Sequence, residues 1–191
     1  WFIRKKNRLT FNDLFDCLAR GAKNTLAVGA AATSIGIIVG VVTLTGVGFR
    51  LGYVVIQTAG DIGGFFLNFL PFNYFTLQDL TLFFSLILIA ISCIFMGTGV
   101  PTTATYIILV AVAAPALTQL QIEPIVSHFF VFYYGVLADI TPPVALAAYA
   151  AAGIAGSNPF TTGNTAFRLG IAKALVPFVF VYSPSLLLLS L

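Results

Sequence analysis

Two short runs carry most of the groups that could do chemistry inside the apolar stretches of this sequence: Gly97-Thr98-Gly99-Val100-Pro101-Thr102-Thr103 and Asp139-Ile140-Thr141-Pro142-Pro143. Neither can continue an α-helix, because proline lacks an N–H donor and pushes the residue before it out of the helical region. Backbone that leaves the helix at membrane depth exposes N–H and C=O groups that lipid cannot satisfy, so such breaks persist only inside protein or beside a polar cavity. Half-helix ends direct N–H groups toward anions and free carbonyls toward Na⁺, and threonine hydroxyls add further oxygen ligands. The candidate shell for ion and substrate is therefore Gly97, Thr98, Gly99, Thr102 and Thr103 from the first run. Ala138, Asp139, Thr141, Pro142 and Pro143 complete it from the second, with free carbonyls expected near Gly97, Gly99, Ala138 and Asp139.

Asp139 is the one carboxylate well inside an apolar segment, where a charge costs about 3 kcal/mol unless paired, hydrated or protonated. Three roles suit it: cation ligand, proton carrier, or cap of the half-helix that begins near Pro142. The single histidine, His128, lies near a segment end and reads as a satisfied interfacial residue rather than a proton relay. One histidine cannot build a metal centre of its own kind, so no metal site and no cofactor are expected beyond Na⁺ or H⁺ as coupling ion. Cys17 and Cys93 lie in a charged stretch and an apolar run respectively, and are not expected to pair.

The elements that must hold these runs are membrane helices. Of 191 residues 59% are hydrophobic and 8% charged, with a mean hydropathy of +1.03. Soluble domains carry about 25% charged residues. The net charge of +3 is not a nucleic-acid signal. Arg4, Lys5, Lys6, Arg8, Arg20 and Lys23 all precede the first long apolar segment, as cytoplasmic flanks do.

Residues 1–24 are expected to form a cytoplasmic or interfacial segment, amphipathic through Leu9, Phe11, Leu14, Phe15 and Leu18, with Thr10 or Asn12 as cap. Residues 25–191 form the membrane region. Its first span runs over about 26–47, where Gly36-Ile-Ile-Val-Gly40 offers a close-packing face, and Thr33, Ser34, Thr43 and Thr45 either line a polar path or bond their own backbone. Arg50 to Asp79, aromatic-rich and interrupted by Asp61, Asn68, Pro71 and Asn73, reads as an outer interfacial connection. The charge-free run after Asp79 would be about 64 Å long as one helix and must fold back. It gives a hairpin over 80–118 whose arms, Leu80 to Phe95 and Thr102 to Leu117, are short enough to suggest a re-entrant tip. Residues 125–155 are expected as one discontinuous helix with Pro142 and Pro143 in the first turn of its second half. Gly156-Ser157-Asn158-Pro159 ends it, and a last span covers 167–191. This count returns Arg168 and Lys173 to the side of the basic amino-terminal segment. The fold class is an all-α, polytopic integral membrane protein with one re-entrant helical hairpin and one discontinuous helix.

With these residues laid out, the chain resembles the large membrane subunit of TRAP transporters, the tripartite ATP-independent periplasmic family, in particular the type in which small and large subunits are fused. The motifs are Met96-Gly-Thr-Gly-Val-Pro-Thr-Thr-Ala-Thr-Tyr106, Phe132-Tyr-Tyr-Gly-Val-Leu-Ala-Asp-Ile-Thr-Pro-Pro-Val-Ala-Leu-Ala-Ala-Tyr149 and Gly153-Ile-Ala-Gly-Ser-Asn-Pro159, within a likeness running from about Gly21 to Pro177. The resemblance implies the C-terminal repeat of an elevator-type transport domain, with Gly97 to Thr103 as the second hairpin tip and Thr141 to Val144 as the break facing it. It implies as partners an N-terminal repeat, a small membrane subunit and a soluble periplasmic receptor. An organic anion, carboxylate in class, would be the substrate, and Na⁺ the usual coupling ion. The location implied is the bacterial or archaeal cytoplasmic membrane. Many relatives lack an acid at the position of Asp139, which leaves H⁺ coupling open.

Two rival readings are weaker. An intramembrane aspartyl protease would fit Pro115-Ala116-Leu117, but its chemistry needs two facing carboxylates and only Asp139 lies deep enough. A structural or assembly subunit would explain the small-residue packing of 26–47 but not two breaks at membrane depth.

Overall fold

The computed structural model describes residues 10–69 and 75–188. The basic cluster Arg4, Lys5, Lys6 and Arg8, and Pro71, Phe72, Asn73 and Tyr74 of the aromatic stretch, lie outside the described residues. Within them the chain is helical, with no strand: α1 (Phe11–Thr45), α2 (Val47–Phe69), α3 (Leu77–Gly97), α4 (Thr102–Gln119), α5 (Pro124–Ala138), α6 (Leu146–Ala155), α7 (Pro159–Gly170), a 3-10 turn (Ile171–Leu175), α8 (Val176–Tyr182) and a second 3-10 turn (Pro184–Leu187).

The chain divides into two units, residues 1–38 and 39–191. In the first, the helix start is closed by Asp13, whose carboxylate accepts from the Thr10 N–H at 2.8 Å, rather than by a side-chain cap from Thr10 or Asn12. Phe11, Leu14, Phe15 and Leu18 are all exposed there. The hydroxyls of Thr33 and Ser34 bond the carbonyls of Gly29 and Ala30, and in the second unit those of Thr43 and Thr45 bond Val39 and Val41. Back-bonding, not a polar path, accounts for the donors of these four hydroxyls.

The second unit is built around α3, α4 and α5. Leu86, Ile89 and Cys93 of α3, Leu109 and Leu117 of α4, and Phe130 and Leu137 of α5 are at most 3% exposed and touch one another. Lipid is as apolar as these side chains, so the assembly depends on close contact rather than on escape from water, and small residues set how close the backbones come. The segment expected as an interfacial connection supplies those residues. Val47–Phe69 is a helix of 23 residues. A Cβ on its Gly48 would stand 2.7 Å from the Ala111 carbonyl oxygen, and one on Gly52 would stand 2.8 Å from the Ala116 Cα. Aromatic and polar residues lie on the outer faces of α2, Asp61 and Phe65 being exposed, which is why its composition resembles an interface. Gly40, expected as a close-packing residue, has nothing within 4 Å of an added Cβ. At Gly46, φ +64, the chain bends by 65° between Ala32–Thr45 and Val47–Asn68, which makes this pair a broken span or a re-entrant loop.

Three boundaries differ from the sequence reading. The hairpin arms are 21 and 18 residues, not about 16, and each is long and apolar enough to cross a membrane. The first arm starts early because Thr76 and Asp79 form a capping box: Thr76 Oγ1 accepts from the Asp79 N–H at 3.2 Å, and Thr76 N–H donates to the Asp79 carboxylate at 3.0 Å. The last span runs from Pro159 to Tyr182 rather than over 167–191, because Asn158 caps it, accepting from Thr161 N–H at 3.1 Å, with Pro159 at the first helical position. Pro142 and Pro143 do not sit in the first turn of a half-helix; they form a turn ahead of α6, which starts at Leu146. One proline fits a helix start, but a second forces its predecessor, itself proline, toward extended geometry and delays the helix.

Candidate functional site at two helix breaks

The hairpin tip and the broken helix meet. Gly97 ends α3, and a Cβ there would stand 2.7 Å from the Ala138 Cβ and 2.9 Å from Thr105 Cγ2, so the lack of a side chain lets the tip reach the end of α5. Thr98 leaves the helix with φ −65 and ψ 125. Gly99 follows at φ +80, a conformation that suits glycine, and packs near Val144 of the second break. Val100 N–H returns to the Gly97 carbonyl at 3.4 Å, and Thr105 Oγ1 donates to the Val100 carbonyl at 3.0 Å.

The direct link is a hydrogen bond from Thr102 Oγ1 to Asp139 Oδ2 at 2.9 Å, across 37 residues of sequence. Thr102 is the first residue of α4, so the carboxylate stands at a helix N-terminus, where partial positive charge favours it. Asp139 therefore does not cap α6 with its side chain. Its backbone carbonyl serves that end instead, accepting from Ala147 N–H at 3.2 Å. The α6 N-terminus at Ala145, φ +29, has no side-chain cap. The turn between is tied by Ala145 N–H to the Thr141 carbonyl at 3.1 Å and by the Tyr149 hydroxyl donating to the Pro143 carbonyl at 2.5 Å. The Pro142–Pro143 peptide is cis.

Of the ten residues proposed from sequence, the structure brings Gly97, Gly99, Thr102, Ala138 and Asp139 into this junction, and Thr98, Thr141, Pro142 and Pro143 lie in the two turns that flank it. Thr103 is exposed, with no side-chain partner among the described residues. The expected free carbonyls are mostly engaged: Gly97 accepts from Val100, Ala138 from Thr141 and Asp139 from Ala147. Each keeps one lone pair for a further donor or cation. Hydroxyl protons are also committed, Thr98 Oγ1 to the Phe95 carbonyl and Thr141 Oγ1 to the Leu137 carbonyl, both at 2.7 Å. With their protons so committed, these hydroxyls can take a further bond only as acceptors.

Two supporting residues escaped the sequence reading. Tyr134 of α5 donates to the Ala174 carbonyl at 2.6 Å in the 3-10 turn that interrupts the last span, and Ile140 packs where a Cβ on Gly170 would fall. Both tie the second break to the carboxyl-terminal helix. His128 is satisfied, as anticipated, by the Tyr106 hydroxyl at 2.8 Å.

A cysteine in place of Thr98, in a chain with Cys17→Ser to remove the exposed native thiol, is expected to react with a small aqueous thiol reagent in at least one transport state. Buried Cys93 should stay inert. Mass spectrometry of the labelled protein reads this out, and inertness of position 98 in every state would mean a sealed structural turn.

No curated relative and no solved structure matches the chain. One family does, over residues 1–191, and it is described as the DctM component of the tripartite ATP-independent periplasmic transporter. With apolar helices able to cross a membrane and polar breaks gathered at one junction, this chain belongs to the DctM family of TRAP transporters, a membrane transport component and not an enzyme.

Proposed function

We propose that the chain is the permease half-site of a receptor-dependent, ion-gradient-driven secondary transporter that imports small organic anions, carboxylates in class. The observation that carries this reading is the meeting of the two breaks, through the Thr102–Asp139 hydrogen bond and the side-chain-free approach of Gly97 to Ala138. The oxygens of Thr98, Thr102, Asp139 and Thr141 make the cation side of the site. The Asp139 carboxylate already occupies the positive end of α4, so the α6 N-terminus is the end left for the anion.

The hairpin is re-entrant in this proposal. The turn holding Gln119, Gln121 and Glu123 is polar and belongs at a membrane face, and α5 rises only about 22 Å from it to the break. That length stops short of a hydrocarbon core of about 30 Å. The tip, bonded to the break, ends at the same depth. An N-terminal repeat facing this one, a small membrane subunit and a soluble periplasmic receptor complete the machine, which moves as an elevator. The basic amino-terminal segment lies in the cytoplasm of a bacterial or archaeal cell, and the membrane is the cytoplasmic one.

Reconstituting the full transporter with its receptor and imposing Na⁺ or H⁺ gradients separately tests this. Uptake is expected under a Na⁺ gradient alone, and indifference to both gradients would end the coupling proposal. Asp139→Asn then separates the ions. The amide still accepts from Thr102 and can ligate through its oxygen, but it cannot carry a proton. Na⁺-driven uptake is expected to persist at reduced Na⁺ affinity, which would rule out an obligatory proton role for Asp139, and its complete loss with wild-type protein levels would make the carboxylate essential to coupling.

A further inference from the structure

Arg168 and Lys173, expected at one membrane face, both lie inside the last span, Pro159–Tyr182. At 1.5 Å per residue Lys173 is about 21 Å from Pro159 and about 14 Å from Tyr182. Its four-carbon stem is too short to carry the ammonium to either end. Pro177 shapes the helix at this point. It has no N–H for the Lys173 carbonyl four residues back, which accepts from Val176 N–H instead, and the turn tightens to the 3-10 form over Ile171–Leu175.

Contacts along the span fix the level of Lys173. A Cβ on Gly163 would meet the Tyr149 ring of α6 at 2.9 Å, one on Gly170 would fall on Ile140 of the break, the Ala174 carbonyl accepts from Tyr134, and Phe178 meets Phe130 of α5 at 5.9 Å. The span thus runs antiparallel to the whole broken helix. Lys173, between the Ile140 and Tyr134 contacts, is level with Ala138 and with the hairpin tip that Gly97 seats there. It is nevertheless on another side of α5 from the two breaks. Tyr134, which meets the span, and Asp139, which meets Thr102, are five residues apart and so about 140° apart around the helix.

Lys173 is exposed, and its exposed neighbours Leu169, Ile171 and Leu175 are apolar. Neither it nor half-buried Arg168 makes an ion pair or side-chain hydrogen bond among the described residues. A bare ammonium in hydrocarbon is among the costliest groups a span can carry, and such residues face protein partners or water-filled cavities. Head-group phosphate is out of reach, and these apolar flanks do not line an aqueous path. The unit of residues 39–191 supplies no spare acid at this level: Asp61 and Asp79 stand beside the head of α3, Glu123 precedes α5, and Asp139 is taken by Thr102.

We infer that the face of the last span around Lys173 docks against a membrane helix from outside this sequence that carries an Asp or Glu at the same depth, its carboxylate pairing with the ammonium. This interface presupposes the further membrane segments proposed above. Because the same turn grips α5 through Tyr134, the pair ties the broken helix to that neighbour.

The test treats the full transporter, purified in detergent, with dicyclohexylcarbodiimide, which enters apolar regions. The reagent activates a carboxylate, and a lysine amine in contact with it displaces the urea and forms an isopeptide bond. Digestion and mass spectrometry are expected to find the Lys173 peptide joined to an Asp- or Glu-containing peptide from a membrane segment outside this sequence. Lys173→Arg should abolish the link, since a guanidinium does not form it, yet keep the thermal midpoint close to the wild-type value by holding the same carboxylate. Lys173→Met should lower the midpoint by at least about 5 °C, because it strands the partner acid. For a lysine with no partner the sign reverses, since removing a bare charge leaves the midpoint unchanged or raises it. An unchanged or raised midpoint in Lys173→Met, no link at Lys173, or a link only to an acid of this chain would each overturn the assignment. Na⁺-driven uptake is read on the same wild-type preparation before treatment. Uptake without the link would end this inference alone, and a link without ion-driven uptake would support the interface while ending the coupling proposal.

Discussion

Gly97→Ala is expected to lower uptake by at least about tenfold while the protein still inserts and purifies at close to normal levels. The new methyl group would lie 2.7 Å from the Ala138 Cβ and 2.9 Å from Thr105 Cγ2, well inside van der Waals contact. Neither neighbour can swing aside. The Ala138 Cβ is fixed by its own helix backbone, and Thr105 is held by its bond to the Val100 carbonyl. The end of α3 must therefore withdraw from α5, at a cost of about 1–3 kcal/mol for overpacking. The Thr102–Asp139 bond, five residues further on, is stretched by the same movement. Gly153→Ala is the matched control: nothing lies within 4 Å of its added Cβ, and alanine suits a helix better than glycine, so uptake should be unchanged. Measuring uptake and thermal midpoint for both decides the matter. A Gly97→Ala protein with full uptake would show that the tip works without touching α5.

The second large effect concerns stability rather than transport. Gly48→Val and Gly52→Leu are each expected to reduce the thermal midpoint of the detergent-purified protein, and the double variant is expected not to accumulate in the membrane. A Cβ at Gly48 would meet the backbone oxygens of Ala111 and Val112 at 2.7 and 3.2 Å, and one at Gly52 would meet the Ala116 Cα at 2.8 Å. Backbone in the middle of α4 cannot yield without moving the helix, so each substitution costs about 1–3 kcal/mol or separates α2 from α4. Gly64→Ala, on the same helix in open space, should leave the midpoint where it was. Equal midpoints for all of these proteins would mean that α2 does not rest on α4 through its glycines.

These residues also mark what the sequence could and could not reveal. The tip at 97–103 and the break beginning at 139 were legible because proline and glycine act on their own backbone, whatever surrounds them. The capping residues were legible in principle. Thr76-Leu77-Gln78-Asp79 is a capping box that starts α3 three residues before the edge suggested by charge alone, and Asn158-Pro159 opens a helix as clearly as it closes the one before. Gly48-Phe-Arg-Leu-Gly52 carries the same small-residue spacing as Gly36 to Gly40, yet its aromatic and charged surroundings disguised α2 as an interface. Thr102 and Asp139 could be assigned to one shell, but the hydrogen bond between them was not legible. It depends on how two helices and a turn stack, and no local preference of either residue encodes a partner 37 positions away.

That separation has a consequence for how the chain is made. Synthesis proceeds from the amino end, and earlier segments begin to organise before later ones emerge. The threonine donor at the head of α4 is thus made before the acid that it will bind. When Asp139 arrives it can pass directly from the aqueous translocation path to a waiting hydroxyl and the positive end of a helix, avoiding the cost of about 3 kcal/mol for a lone charge in hydrocarbon. With the two elements in the opposite order, the nascent protein would have to carry an unpartnered carboxylate into lipid and wait for its ligand. The order of hairpin before break is itself a form of chaperoning written into the gene.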